Sequence, residues 1–211
     1  MIVKIFNKNS MGQNIYLCHC KATGEGILID AGCNTADEKA ILTAISENSI
    51  TVKAILLTHG HYDHVTGVEK IKQATGAKVY CHICEKQMLE NPELNLSCLT
   101  ANKIYVTPDE IFNDGDTFQF GQCMVKILHT PGHTPGGVCY YNEDCGLLFS
   151  GDTLFKSSIG RTDFPQGDQQ KLIRNINAKL LTLPEDVAVY PGHGDSTTIG
   201  REKKQNPFLK V

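Results

Sequence analysis

Three imidazoles and a carboxylate fall within seven residues, Thr58-His59-Gly60-His61-Tyr62-Asp63-His64. Four such side chains would crowd the backbone severely if all reached one tetrahedral ion. The stretch therefore points to two metals side by side, each completed from further along the chain. His59 and His61, separated by Gly60, can converge on one ion, and His133 adds a third imidazole while leaving one position open. Asp63, His64 and His193 offer a second set. Asp152 has two oxygens and can bridge them. Ions held ~3.5–4 Å apart lower the pKa of a shared water towards ~7, which gives hydroxide at neutral pH. The expected cofactors are two divalent ions, zinc before iron or manganese. A lone histidine is more often packed than ligating, but here six of the eight histidines sit at strand ends beside Gly, Thr, Pro or Asp. His19 and His82 receive no role, and His129 receives a packing role.

The elements that must position these groups follow from periodicity. Strands are expected near 2–7, 14–20, 26–30, 53–57, 77–82, 117–120, 123–129, 136–142, 145–150 and 187–190. Helices are expected near 36–48, 65–75, 83–90 and 168–180, with Gly76 as a stop for the second. Residues 91–110 read as irregular. Asn113-Asp114-Gly115-Asp116 and Glu143-Asp144 read as hairpin turns. Strands then helix, twice over, suggest two packed sheets flanked by helices. The apolar strand 53–57 runs into the histidine cluster. The strands 123–129, 145–150 and 187–190 lead through Gly-rich turns to His133, Asp152 and His193. Ligands on short loops at one rim of a rigid sheet make a site both well placed and open.

Composition narrows the function classes. The chain has 211 residues, 41% of them hydrophobic, and a formal net charge of −3. One domain spanning 1–211 is expected, with no linker or low-complexity stretch to divide it. There is no dense Lys/Arg run to track a phosphate backbone, so no nucleic-acid partner is expected. No apolar run is long enough to span a bilayer, and the start lacks the pattern of a signal peptide, so a cytoplasmic protein is the default. The nine scattered cysteines read as free thiols in a reducing compartment. Cys81-His82-Ile83-Cys84 is a lone CxxC, a weak signal that reads as structural.

The combined motifs carry a resemblance. Thr58–His64, Thr130-Pro131-Gly132-His133-Thr134-Pro135-Gly136, Ser150-Gly151-Asp152-Thr153 and Pro191-Gly192-His193-Gly194 resemble the metallo-β-lactamase-fold superfamily over nearly the whole chain. The resemblance implies an α/β (α+β) chain folded as a four-layer αβ/βα sandwich, two mixed β-sheets flanked by helices, with a dimetal site at one edge. It implies His59, His61 and His133 on one metal, Asp63, His64 and His193 on the other, and Asp152 between them. Within that superfamily a Cys in place of Asp152 marks lactamases, so a lactamase is not expected. Gly151-Asp152-Thr153-Leu154-Phe155 is similar to the glyoxalase II (hydroxyacylglutathione hydrolase) branch. That branch's extra C-terminal region is missing, and its Lys-x-Tyr pair aligns with Arg161 and Asp163. Gly160-Arg161-Thr162-Asp163-Phe164-Pro165 and Asn206-Pro207-Phe208-Leu209 resemble its short relatives.

The activity this implies is hydrolysis of a small thioester by a metal-bridging hydroxide, with Asp63 and Asp152 as catalytic groups and the Arg161 cation available for a substrate carboxylate. A thiol with a pKa near ~8.5 leaves as thiolate with little help. The rival resemblance is to persulfide dioxygenases, which use a single iron; here His59, His133 and Asp152 would hold it, with open positions for oxygen and substrate. A non-catalytic module would be expected to have lost ligands, and none is missing.

Overall fold

The computed structural model describes residues 1–7 and 11–209. Two mixed six-stranded sheets form its centre. The first runs in chain order: β1 (Ile2–Phe6), β2 (Ile15–His19), β3 (Glu25–Ile29), β4 (Thr51–Leu56), β5 (Lys78–His82) and β6 (Glu110–Phe112). Its β1/β2 and β2/β3 pairs are antiparallel and the rest parallel. The second half supplies β7 (Thr117–Phe120), β8 (Cys123–His129), β9 (Val138–Asn142), β10 (Leu147–Gly151), a short ribbon of β11 (Leu154–Phe155) and β12 (Ser158–Ile159), then β13 (Ala188–Pro191) and β14 (Thr197–Thr198). The second sheet has the order β14-β13-β10-β9-β8-β7, parallel only between β10 and β13.

Strand alternation accounts for the layers. Ile27, Ile29, Ala54 and Leu56 face the second sheet, where they meet Phe120, Val125, Ile127, Tyr140 and Phe149. Their neighbours Leu28, Ile55 and Leu57 face the other way, onto helices α1 (Thr35–Glu47), α2 (Tyr62–Val65), α3 (Val68–Thr75) and α4 (Lys86–Leu89). The second sheet's far face packs Cys139, Leu148 and Val189 on α5 (Gln169–Asn175), the π-helical turn Ile176–Leu180 and α6 (Ile199–Gln205). Each face needs its own apolar cover because side chains alternate at a period of two. The result is a helix–sheet–sheet–helix sandwich, as the sequence led us to expect. All nine cysteines are free, six of them buried; Cys81 lies in the core while Cys84 is exposed.

Several expectations need correction. The helix expected at 65–75 is broken: Gly67 N–H donates to Ala31 O at 2.7 Å, and a side chain there would collide with Cys33 Sγ. The contact stops α2 and restarts the chain as α3, which ends at Gly76 (φ 70°) as expected. The helix expected at 83–90 is a 3-10 turn, Ile83–Glu85, followed by the four-residue α4. Asn113–Asp116 is not a hairpin turn, since it joins β6 of one sheet to β7 of the other. The β9–β10 hairpin does turn at Glu143-Asp144. The strands β6, β11, β12 and β14 and the helix α6 were not expected; the strands are only two or three residues long, too short for a periodicity to register.

No helix among the described residues is long and apolar enough to cross a membrane. Phe149, fully buried between the sheets, packs its ring 5.1 Å from Tyr16 and 5.6 Å from Tyr190. It lies on β10, the strand that delivers Asp152. Phe149→Ala should destabilise the fold by about 3–5 kcal/mol. Urea denaturation checks this, and an unchanged midpoint would contradict the inter-sheet core as described.

Candidate metal centre

The groups singled out by sequence meet at one rim of the sandwich. Strand β4 releases Thr58–His64, β8 leads to His133, β10 ends at Gly151 before Asp152, and β13 ends before Gly192-His193. Backbone bonds lock these loops together. Gly192 N–H donates to Gly151 O at 2.8 Å, and Val138 N–H to Thr58 O at 2.9 Å. Tyr140 Oη donates to Leu57 O, and Tyr16 Oη to Pro191 O, each from a strand of the opposite sheet. Two glycines are required by close approach. At Gly151 (φ 47°) a Cβ would press on the Thr58 side chain, and at Gly192 it would strike Asp152 and His64.

Ring nitrogens converge in two sets. His61 Nδ1 lies 3.0 Å from His133 Nε2, which lies 3.3 Å from His59 Nε2. Beside them, His64 Nε2 is 3.3 Å from His193 Nε2, and His193 Nε2 is 3.1 Å from Asp63 Oδ2. Asp152 stands between. Its Oδ1 is 3.4 Å from His64, and its Oδ2 is 3.7 Å from His133 and 3.8 Å from His193. Asp152 Oδ1 is buried and has no hydrogen-bond partner. A buried carboxylate oxygen without a donor, facing clustered imidazole lone pairs, is a site that a cation would satisfy. Three overlapping groups could hold one: His59/His61/His133, His59/His64/Asp152 and Asp63/His64/His193.

The outward nitrogens are satisfied by groups that sequence reading missed. His64 Nδ1–H donates to Asp30 Oδ2 at 2.7 Å. The Thr58 hydroxyl also donates to Asp30 Oδ2, at 2.7 Å, which leaves the Thr58 oxygen to accept from His59 Nδ1 at 3.1 Å. His133 Nδ1–H donates to Arg161 O at 2.7 Å. These bonds fix the tautomers so that the Nε2 lone pairs of His59, His64 and His133 face inward. Asp30 follows β3 at φ 52°, a left-handed conformation that Asp tolerates better than most residues. Its signal was the one used for the other groups, a carboxylate at the end of an apolar strand before Ala31-Gly32. Glu85 was also missed. Buried in the 3-10 turn, it accepts from Gly60 N–H (2.8 Å), Thr134 Oγ1 (3.0 Å) and Gly136 N–H (2.7 Å), and so ties the His59–His61 loop to the His133 loop. Nothing in sequence distinguishes it from a surface glutamate.

Burial and the surrounding histidines hold His59 well below the ordinary imidazole range, and burial with His133 brings His61 down to about 3. Both are neutral, ligating imidazoles. Burial opposes charge on His64, but Asp30, Asp152 and Asp63 push its pKa well up; Asp63 and Asp152 likewise raise His193 against burial. Burial also opposes ionisation of Asp63 and Asp152, yet the histidines, His64 foremost, keep both carboxyls below the usual range. Ligation needs the neutral forms of His64 and His193, so a cation entering would work against these raised pKa values.

A cleft of about 370 Å³ opens over the cluster. Its walls include His61, Asp63, His133, Asp152, His193, Tyr62, Leu96, Phe155, Ile159, Arg161 and Phe164. Arg161, expected to offer a cation to a substrate carboxylate, lines the cleft, but its guanidinium is engaged. Nε and Nη2 fork onto Asp163 at 2.7 and 2.6 Å, and the group lies 3.8 Å over the Phe164 ring. His82 and His129 lie away from the rim cluster, stacked on each other at 3.8 Å.

Comparison with known proteins places the chain. The Metallo-beta-lactamase superfamily model matches residues 11–193. Hydroxyacylglutathione hydrolase GloC of Haemophilus influenzae is 39% identical over 185 residues, 86% of each chain. Among solved structures, BLEG-1 B3 metallo-beta-lactamase has TM-score 0.92 and 38% identity, with both chains covered completely. TTHA1623 in a di-iron-bound form has TM-score 0.86 and 34% identity over 98% of this chain and 100% of that one. ETHE1 from Myxococcus xanthus has TM-score 0.80 and 28% identity over 98% and 84%.

Asp30→Asn should weaken metal binding about 10–100-fold, the usual consequence of losing the carboxylate behind a ligating histidine. Competition with a chromophoric chelator measures it, and unchanged affinity would deny Asp30 its orienting role.

Proposed function

The chain belongs to the Metallo-beta-lactamase superfamily, as a metal-dependent hydrolase, and from that premise we propose that it hydrolyses small thioesters of the hydroxyacylglutathione kind. The observation that carries this reading is the meeting of two ligand sets on Asp152 beneath an open, largely apolar cleft. In it His59, His61 and His133 would hold one divalent ion and Asp63, His64 and His193 a second, with the Asp152 carboxylate placed between the two sets. Ions so placed supply hydroxide at neutral pH and polarise a carbonyl; zinc is the first choice, with iron or manganese as alternatives.

The chain's own residues then do the rest. Leu96, Phe155, Ile159 and Phe164 shed water from the cleft and hold the acyl group and sulfur against the metals. Asp63, kept ionised by His64 and His193 against burial, directs the nucleophile through its carboxylate. The leaving group decides the substrate class. An amide nitrogen must be protonated as it departs, and the histidines of the cleft are committed as ligands. Tyr62 is the phenol among the lining groups, and burial and Asp63 raise its pKa, which makes it a poor acid. A thiolate needs no such donor. Arg161, forked onto Asp163, offers a substrate carboxylate only a shared cation. The 39% identity with GloC also supports a thioester.

A second reading, persulfide dioxygenation at one iron on His59, His133 and Asp152, draws on the resemblance of Gly160-Arg161-Thr162-Asp163-Phe164 to that family. The convergence of Asp63, His64 and His193 beside that triad favours the two-metal hydrolase. The test is a parallel assay of metal-loaded protein with lactoylglutathione, with glutathione persulfide under oxygen, and with a chromogenic cephalosporin. The expected result is thiol release from the thioester as the dominant turnover. Oxygen uptake on persulfide, or ring opening of the cephalosporin, without thioester cleavage would overturn the proposal.

A further inference from the structure

We propose that His82, Cys84 and His129 form a third metal site, separate from the rim cluster and suited to a thiophilic divalent ion such as Zn2+. One ligand atom from each of these residues lies within 4.8 Å of the other two. Zinc bonds of ~2.3 Å to sulfur and ~2.0–2.1 Å to nitrogen place tetrahedral ligands roughly 3.3–3.6 Å apart. Closing the triangle therefore asks for a shift of about an ångström: the exposed Cys84 side chain must rotate, and one of the two stacked rings must turn so that both imidazoles present a nitrogen edge-on to the ion. The three come from separate anchors: His82 ends β5, Cys84 sits in the 3-10 turn that follows, and His129 ends β8 of the other sheet.

One of the two rings, His129, has its ligating nitrogen free. His129 Nε2–H donates to Pro135 O at 2.9 Å, leaving the Nδ1 lone pair free. That is the same arrangement, a carbonyl behind the far nitrogen, that orients His133 at the rim. His82 Nδ1 spends its single lone pair on a long bond, 3.3 Å, from Cys84 N–H, and an ion would have to take that lone pair over. Burial lowers both imidazoles below their ordinary range, His82 to about 4, so both are neutral near pH 7. The nearby Lys179 ammonium is taken up by Asp114 and by the carbonyl of His129, at 2.7 Å each. Stacked histidines alone would be packing. The accessible thiol brought to the same point makes a mixed sulfur–nitrogen donor set, which selects zinc or copper over magnesium or calcium.

The site is continuous with the catalytic loops. Pro135, behind His129, belongs to the Thr134–Gly136 turn that Glu85 holds, and Glu85 directly follows Cys84. An ion here would tighten from outside the loop that carries His133.

Cobalt titration of the metal-loaded protein reads the site directly, because none of the rim groups contains a cysteine. Co2+ at a thiolate gives a near-ultraviolet charge-transfer band. The wild type should develop that band, and Cys84→Ser and His129→Gln should lose it. A companion experiment maps alkylation by mass spectrometry. Zn2+ should protect Cys84 at least tenfold while the other exposed thiols, Cys98 and Cys145, react as before. No band in the wild type, a band that persists in Cys84→Ser, or equal alkylation of Cys84 with and without Zn2+ would overturn the proposal.

Discussion

One buried carboxylate ties both halves of the rim cluster together. Asp30 accepts from Thr58 N–H at 2.8 Å, from the Thr58 hydroxyl at 2.7 Å and from His64 Nδ1–H at 2.7 Å. Through the hydroxyl it also orients His59, so a ligand from each set is held by the same two oxygens. Asp30 is 1% exposed, and a carboxylate so buried is tolerable only with its acceptors filled. The arrangement is self-consistent: the donors that stabilise Asp30 are the groups whose orientation the site requires. The left-handed backbone at Asp30 is the local strain that puts the carboxylate there.

Around that anchor the fold acts as a jig. Parallel β10 and β13 end side by side, so Asp152 and His193 emerge together, and a Gly at each strand end lets the two loops touch. Tyrosines on β2 and β9 reach across the inter-sheet core to hold carbonyls beside the opposite loops. Glu85 clamps two more. Ligands fixed in this way bring like charges and unpaired lone pairs into one buried place, a cost the protein sustains because a cation resolves it. The unpartnered Asp152 oxygen and the depressed His59 and His61 are two signs of the same demand.

Much of this was legible in the sequence because ligand chemistry and strand endings coincide. The seven grouped side chains, from His59 to His193, sit in loops that follow apolar strands, and the structure brings all seven to one rim. What escaped was relational. Glu85 looks ordinary until the loops that it holds are in place, and Asp30, though it ends an apolar strand like the other groups, shows what it orients only in the fold. Arg161 carried the right charge in the right loop, but its pairing with Asp163 two residues on is a matter of rotamer and not of spacing. Asn113–Asp116 has the composition of a hairpin turn, yet the chain uses it to pass between sheets, a choice made by long-range pairing. The break at Gly67 likewise comes from a contact with the loop after β3, which no local periodicity encodes.

The central claim is that Asp152 stands between two ions. Anomalous diffraction from metal-loaded crystals, collected at the absorption edge of the bound element, tests it most directly. The account predicts two peaks ~3.5–4 Å apart, one among His59, His61 and His133, the other among Asp63, His64 and His193, with one Asp152 oxygen on each. A single peak on His59, His133 and Asp152 with the second set unoccupied at saturating metal would contradict it.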